Sequence, residues 1–386
     1  MNYHKVCAIL KELFYKKEKN SIRLIRNINM ESLGRDQPRV LISYRCSIFE
    51  TDMAKKITKT YVYEINEMIK IFSQLGFCID LVDCADLTQL DKIRDVKYDV
   101  ILGFGEVFYQ MCLLQDEATS ILYMTENYPE FSIREENKRK DYYYERHNKK
   151  VPYTRSNKFY TMRHLDVKYD YVITLSDTHW FEQMYQGKIY PIFPTGFVNV
   201  QFSYCQKDHS TTKKGFLWLA SSAPIHKGLD LLLDAFSEIP TCHLYICGLK
   251  SEDRNFLNFG PLSNVHDYGG EIDIQSNDFL DIVGKCTYII LPSCSEACAT
   301  AVATGMMHGL IPIVMKNSGF ERLNDNALYL EDYDVEYIIG KIKEYSNFED
   351  DLLTAKSERI YSWSRENFTI ERYRYSLKNI INSILG

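Results

Sequence analysis

Two short runs of the 386-residue sequence put a charged side chain where an open α/β sheet binds ligands. The first is Ser221-Ser222-Ala223-Pro224-Ile225-His226-Lys227-Gly228, between an apolar run ending near Leu219 and a run carrying Leu229, Leu231, Leu232, Leu233 and Phe236. A strand-to-helix turn leaves backbone N–H groups free beside the positive end of the helix dipole, so anions gather there. Lys227 at such a turn can meet a phosphate; an exposed lysine followed by a convenient glycine is the plainer alternative. The second run is Leu291-Pro292-Ser293-Cys294-Ser295-Glu296-Ala297-Cys298-Ala299-Thr300-Ala301-Val302, an apolar strand running into small residues and then a helix. Glu296 falls at the strand's carboxyl end, the ligand edge of such sheets. A carboxylate there can hold sugar hydroxyls, or it can cap the following helix. The small residues 297–300 let backbone approach a ligand, although close helix-on-sheet packing asks for the same sizes.

Weaker candidates lie upstream. Gly103-Phe104-Gly105-Glu106 follows a strand and could form a ligand-facing loop, but a lone Gly-x-Gly is a weak signal. Thr125, Glu126 and Asn127 follow the next strand, again at its carboxyl end. His164 and His179 are acid/base candidates that fit equally well as structural histidines. Cys294 and Cys298 have the closest metal-like spacing, but no matching His or Cys pair completes a tetrahedral set, so no metal is expected. From Arg134 to Lys158, Lys138, Arg139, Lys140, Arg146, Lys149, Lys150 and Arg155 alternate with tyrosines. Such a strip suits anionic headgroups or a pyrophosphate-linked acceptor; the interleaved Glu135, Glu136, Asp141 and Glu145 suit a solvated charged helix instead.

The elements that must hold these residues read as two parallel sheets. Val40 to Tyr44, Cys78 to Val82, Asp99 to Leu102, Ile121 to Met124 and Tyr171 to Leu175 are continuous apolar runs, expected of strands covered on both faces, with helical patterns between them. The alternation lapses through the polar stretch Gln206 to Lys214 and restarts at Phe216 to Leu219, His243 to Cys247, Thr287 to Leu291 and Ile311 to Val314. The chain therefore divides into a helical extension (1–37), a first doubly wound domain (38–205), a linker (206–215), a second doubly wound domain (216–363) and a closing helix (364–386) that returns toward the first. Lys16, Lys17, Lys19, Arg23 and Arg26 crowd the polar side of the extension.

Composition agrees. The length exceeds what one ordinary core holds, and 45% hydrophobic with 25% charged residues is a folded, water-soluble profile. A net charge of -6 gives no general attraction to nucleic acid. The 11 cysteines are scattered singly through apolar runs, which fits a reducing compartment. No apolar stretch reaches signal-peptide or bilayer-spanning length, so a cytoplasmic protein, in peripheral contact with the inner face of a membrane through the basic strip, is expected.

The runs Phe216–Leu219, His226–Phe236, Pro292–Glu296 and Gly309–Val314, in that order, resemble the retaining GT-B glycosyltransferases of the bacterial surface-polysaccharide group (glycosyltransferase family 4-like, glycosyl transferases group 1). Val40–Tyr44, Tyr98–Glu106 and Ile189–Ile192 extend the likeness more thinly into the first domain. The resemblance implies an α/β GT-B architecture: two doubly wound Rossmann-like domains facing a cleft, with a C-terminal closing helix. It implies a hexosyltransferase-type enzyme that takes a nucleotide-sugar donor, needs no cofactor or metal, and serves a glycan or lipid-linked glycan acceptor. Lys227 would bind the donor diphosphate and Glu296 the donor sugar, with Ser222, Gly228, Ala297, Cys298, Ala299, Thr300 and Thr304 completing the donor site. Gly103, Gly105, Glu106, Thr125, Glu126 and Asn127 would face the sugar or acceptor. Ser222 stands where such enzymes commonly carry an Arg, five residues before the Lys, and Thr304 where they carry a second Glu, eight residues after the first. Those departures motivate a rival, a GT-B-shaped binding or scaffold protein without turnover; a sugar-phosphate epimerase on a similar double Rossmann plan is a third class.

Overall fold

The computed structural model describes residues 22–29, 37–46, 60–151, 155, 159–185, 188–204, 207–257, 260–270 and 272–386. Their strands form two sheets. The first sheet contains β1 (Leu24–Ile25), β2 (Arg39–Tyr44), β3 (Cys78–Asp83), β4 (Val100–Gly103), β5 (Thr119–Met124), β6 (Tyr171–Thr174) and β7 (Ile189–Pro191), in the order β1-β3-β2-β4-β5-β6-β7. The second contains β8 (Gly215–Leu219), β9 (His243–Cys247), β10 (Val265–Asp267), β11 (Tyr288–Leu291), β12 (Ile311–Met315) and β13 (Leu328–Leu330), in the order β10-β9-β8-β11-β12-β13. Every pairing is parallel except β1 on β3. The central strands are buried along almost their whole length, because helices cover both faces of a parallel sheet.

The main helices are α1 (Thr60–Gln74), α2 (Gly105–Leu114), α3 (Pro129–His147), α4 (Leu229–Ser237), α5 (Asn277–Lys285), α6 (Thr300–Met306), α7 (Val335–Ser346), α8 (Asp350–Asn367) and α9 (Ile370–Leu385). Tyr373, Leu377 and Ile381 on α9 repeat every four residues, one face of a helix, and that face is buried in the first domain's core. The closing helix thus crosses back from the second domain, where α8 buries Leu353 and Ile360.

Two boundaries differ from the sequence reading. The stretch read as a helical extension contains, within residues 22–29, the edge strand β1, with Leu24 opposite Val82 and Ile25 opposite Leu81. Arg23 pairs with Asp83 and Arg26 with Asp80, at 3.1 and 3.5 Å. Residues 1–21, with Lys16, Lys17 and Lys19, lie outside the described residues. The polar stretch read as the linker belongs to the second domain. Lys207 Nζ donates to the carbonyls of Val283 and Cys286 at the end of α5, at 2.7 and 2.6 Å. The chain crosses earlier, between Ile192 in the first core and Phe197 in the core of the second. There Gly196 N–H donates to Phe368 O at 2.8 Å, so the outgoing and returning crossings run side by side. Phe193, Trp363 and Phe368 seal them with edge-on ring contacts of 5.3–5.4 Å.

Candidate functional site

In each sheet the chain reverses direction once beside its first long strand. β2 lies between β3 and β4, and β8 lies between β9 and β11. A crevice forms outside the carboxyl ends of strands at such a switch point, where helices leave to opposite faces. The two crevices face each other, and together they enclose a cleft of about 1140 Å³.

The second domain's wall is assembled from the two motif turns. After β8, Ala223 and Gly228 both take left-handed backbone angles, with φ of 54° and 71°. Trp218 Nε1 donates to the Lys227 carbonyl at 3.2 Å, and Gly228 begins α4. The turn after β11 is laced to it: Cys294 N–H donates to His226 O at 3.0 Å, and His226 Nε2 lies 2.9 Å from Ser295 O. Burial holds His226 well below its ordinary pKa, so a neutral ring makes that contact. Lys227 and Glu296, brought together from 69 residues apart, form a buried ion pair. Burial lowers the Lys227 pKa; Glu296 opposes the fall and Arg155 deepens it.

The turn carrying Glu296 rests on the loop after β12. Glu296 N–H donates to Ser318 O at 2.6 Å and Cys298 N–H to Gly319 O at 3.0 Å. A side chain at Gly319, φ 105°, would run into the Glu296 carbonyl. Cys298 itself sits at φ 49°. Its amide is taken, whereas those of Ala297, Ala299 and Thr300 meet no backbone acceptor among the described residues; these residues line the cleft together with Ser222. Thr304 also lines it, but its hydroxyl accepts from Phe197 N–H at 3.1 Å and thereby holds the interdomain crossing. Burial pushes both Cys294 and Cys298 up to about 12, which keeps them as thiols.

The first domain's wall comes from separate loops: Arg45 after β2, Phe104 after β4, Thr125 and Glu126 after β5, and Arg155. Thr125 is tied to Tyr160 OH through its N–H at 3.0 Å and its hydroxyl at 2.9 Å. Burial raises the Glu126 pKa against the pull of Arg155 and Arg45. Deeper in the wall, Glu64 accepts from Tyr44 OH, and Tyr123 OH lies 2.8 Å from Tyr373 OH on α9. Burial pushes Glu64 up to about 7 against the hydrogen bonds from Tyr44 and Tyr123. Neither Arg45 nor Glu64 announces itself in the sequence, because each is a single charge beside an apolar run.

Four residues assigned to the site from sequence serve elsewhere. Gly103 and Gly105, with φ of 141° and 82°, are glycines because a Cβ at either would strike the carbonyl of Ser43 or of Cys84. Glu106 points away, paired with Arg163 and with His164 Nε2 at 3.0 Å. Gly228 abuts the Pro292 carbonyl rather than the cleft. His164 is occupied by that pairing, and His179 packs on Trp180 in a tilted arrangement with ring centroids 4.4 Å apart.

The basic strip is not a solvated helix along its whole length. As α3 it leaves the first domain and docks on the second. Arg139, buried, donates from Nη1 to Pro292 O at 2.9 Å, and Ser132 Oγ meets Ser295 Oγ at 2.7 Å, both on the Glu296 turn. Arg146 pairs with Asp230 and Asp234, and Tyr143 OH donates to Phe256 O. On the other side of the cleft Thr60 Oγ1, at the start of α1, meets Thr300 Oγ1 at 2.7 Å.

No family model matches the sequence, and no curated protein matches it. Solved structures of the same fold do. A sucrose-phosphate synthase from Thermosynechococcus elongatus aligns over 90% of this chain and 99% of its own at 13% identity, TM-score 0.60. Anabaena HepE, solved with UDP and glucose, aligns over 90% and 100% at 13% identity, TM-score 0.57. A glycosyltransferase from Rickettsia africae aligns over 91% and 99% at 16% identity, TM-score 0.56. The likeness is one of fold: two parallel-sheet Rossmann-like domains in the GT-B arrangement. Among the described residues no helix is long and apolar enough to cross a membrane.

Proposed function

We propose that this chain is a glycosyltransferase that moves a hexose from a nucleoside-diphosphate sugar to a glycan or lipid-linked glycan of a bacterial surface polysaccharide, retaining the anomeric configuration and without a metal. The observation that carries the reading is the meeting of Lys227 and Glu296 in the cleft, at the switch point of the second sheet. A lysine ammonium has three N–H donors; Glu296 engages one, which leaves two for a diphosphate. As the bond from the anomeric carbon to the β-phosphate oxygen breaks, negative charge grows on the departing diphosphate. A cation fixed beforehand in a shielded cleft stabilises that charge without reorganising. The amides of Ala299 and Thr300 lie on the same turn. Glu296 accepts hydrogen bonds from the donor's sugar hydroxyls, and the acceptor enters along the first domain's wall. The UDP and glucose bound to Anabaena HepE support the donor class. Retention rests on the motif order alone.

A second reading, a binding protein without turnover, has Ser222 and the occupied Thr304 hydroxyl in its favour. Thermal shift and calorimetry with UDP-, GDP- and ADP-sugars separate the two. One donor should bind and be turned over in EDTA, with product of unchanged anomeric configuration by NMR, and Lys227→Ala and Glu296→Ala should each lower turnover by about 10²-fold or more. Donor binding without turnover toward any acceptor would favour the second reading, and no binding would sink both.

A further inference from the structure

The donor-side reading leaves the charge on the opposite wall unused. Arg45 is the first residue after β2, at the switch point of the first sheet, the position that mirrors the turn after β8 in the second. Its guanidinium lies over the Phe159 ring, 4.4 Å from the centroid, with the Tyr61 ring at 5.7 Å. Stacking of this kind fixes the plane of the fork and leaves its N–H edges free for a planar or tetrahedral anion. Arg155 lines the same cleft, and its backbone N–H donates to Glu136 Oε1 on α3 at 2.8 Å, so the helix that docks on the second domain also sets its position.

Among the described residues neither guanidinium has a carboxylate within ion-pair distance. The carboxyl that feels both is Glu126, and burial favours its neutral form. Across the cleft the ammonium of Lys227 is already matched by Glu296. Among the described residues, then, the cleft cations without an ion-pair partner are Arg45 and Arg155 on the first domain's wall, two forks suited to bidentate contact with phosphate oxygens.

We propose that Arg45 and Arg155 form a phosphate-binding subsite on the first domain's wall, separate from the Lys227–Glu296 pair. It rests on the reading of the cleft as the substrate site. The phosphate is either the donor's diphosphate, reached when the domains are closed, or a phosphate carried by the acceptor. Both present the same chemistry to the two forks.

Calorimetry on the full chain with UDP, uridine, inorganic pyrophosphate and glucose 1-phosphate tests the subsite, in wild type, Arg45→Ala, Arg155→Ala and the two Arg→Lys variants. Each Ala variant should weaken at least one phosphate-bearing ligand by about tenfold or more, each Lys variant should recover part of that loss, and uridine should be unaffected. Weakened UDP identifies the donor's diphosphate; unchanged UDP with weakened glucose 1-phosphate identifies an acceptor phosphate. Equal affinity of every phosphate ligand for wild type and both Ala variants overturns the subsite, as does failure of all of them to bind wild type. The first of these leaves donor binding standing. Pyrophosphate binding that depends on both arginines, in a chain that binds no nucleotide sugar, would keep the subsite and remove the sugar-transfer reading. Circular dichroism of each variant guards against misfolding.

Discussion

The two walls of the cleft occupy equivalent places, each at the switch point of a parallel sheet, yet their charges are arranged in opposite ways. On the second wall Lys227 and Glu296 are matched to each other and buried, and hydrogen bonds from His226 to the Ser295 carbonyl and from the Glu296 and Cys298 amides to the carbonyls of Ser318 and Gly319 fix their turns. On the first wall Arg45 and Arg155 have no carboxylate within ion-pair distance among the described residues; ring contacts hold Arg45, and the backbone N–H of Arg155 donates to the Glu136 carboxylate on α3. A matched pair resists solvent and waits for a ligand that can replace one partner, whereas an unmatched pair attracts an anion from a distance. The second wall's ion pair lies within one domain, although Ser132 and Arg139 of α3 also reach the Glu296 turn. The first depends on α3, which binds the other domain, so charge recognition there is coupled to how the domains meet.

The largest effect should come from breaking the matched pair. Lys227→Ala should lower kcat by about 10²- to 10³-fold, the usual loss on removing one preorganised charge-stabilising donor. Because it also strands Glu296, its stability should be compared with that of the Lys227→Ala/Glu296→Gln double variant. If the double variant regains stability and not turnover, the pair acts on the reaction rather than on folding alone. Recovery of both would show that the pair is only a structural contact.

Breaking the link between the walls comes next. Arg146 on α3 faces Asp230, whose side chain is 1% exposed and whose pKa burial raises against the arginine's pull. Removing one partner of a buried pair strands the other, at about 3–5 kcal/mol. Arg146→Ala should therefore lower the thermal midpoint markedly, and Asp230→Asn added to it should restore much of the loss. An unchanged midpoint in Arg146→Ala would mean that α3 is not held by this pair.

A third test concerns the floor of the first wall. Burial raises Glu64 from 4.5 to about 7, so the folded chain keeps a proton that the unfolded chain releases. The protonated group's contribution to stability is complete below pH 4.5 and is lost as pH rises through 7, at about 1.36 kcal/mol per unit, or about 3 kcal/mol in all. Glu64→Gln keeps an acceptor for Tyr44 and carries no charge. It should stabilise the chain at pH 8 relative to pH 5 when midpoints are compared with wild type. A pH-independent difference would place Glu64 in a wetter setting.

These walls also differ in how far the sequence discloses them. The second wall is legible because its residues are contiguous: Lys227 and Glu296 each follow an apolar run that is covered on both faces and precede a helical pattern. The first wall draws its residues from α1 and several separate loops, and no local pattern marks Arg45, Glu64 or Arg155. Short edge strands hide for a related reason. Leu24–Ile25, Val265–Asp267 and Leu328–Leu330 are too brief to show a period and exist because a sheet edge offers them hydrogen bonds. Polarity does not by itself mark a crossing between domains. Lys207 is polar and serves α5, while the real crossing at 192–197 carries Phe193 and Phe197, apolar residues packed against the returning chain or the second core. In Gly103-Phe104-Gly105 the glycines mark backbone approach, but to Ser43 and Cys84, not to a ligand.

The smallest effect tests that last assignment. Burial opposes ionisation of Glu106, but hydrogen bonds from His164, Gln110 and Arg163 outweigh it and lower its pKa from 4.5 to about 2. A depressed carboxylate stabilises the fold above pH 4.5, and the contribution fades as pH falls toward 2. The side chain is 23% exposed and Arg163 57%, so solvent screens much of the pairing, and Glu106→Gln should cost only about 1 kcal/mol at pH 7. The gap between variant and wild type should narrow by pH 3, because wild type has by then begun to lose the same charge. Donor affinity and turnover should not move, since Glu106 lies off the cleft and Phe104 beside it forms the wall. A loss of turnover at full stability would return Glu106 to the site and make the Gly103–Glu106 loop part of the first wall after all.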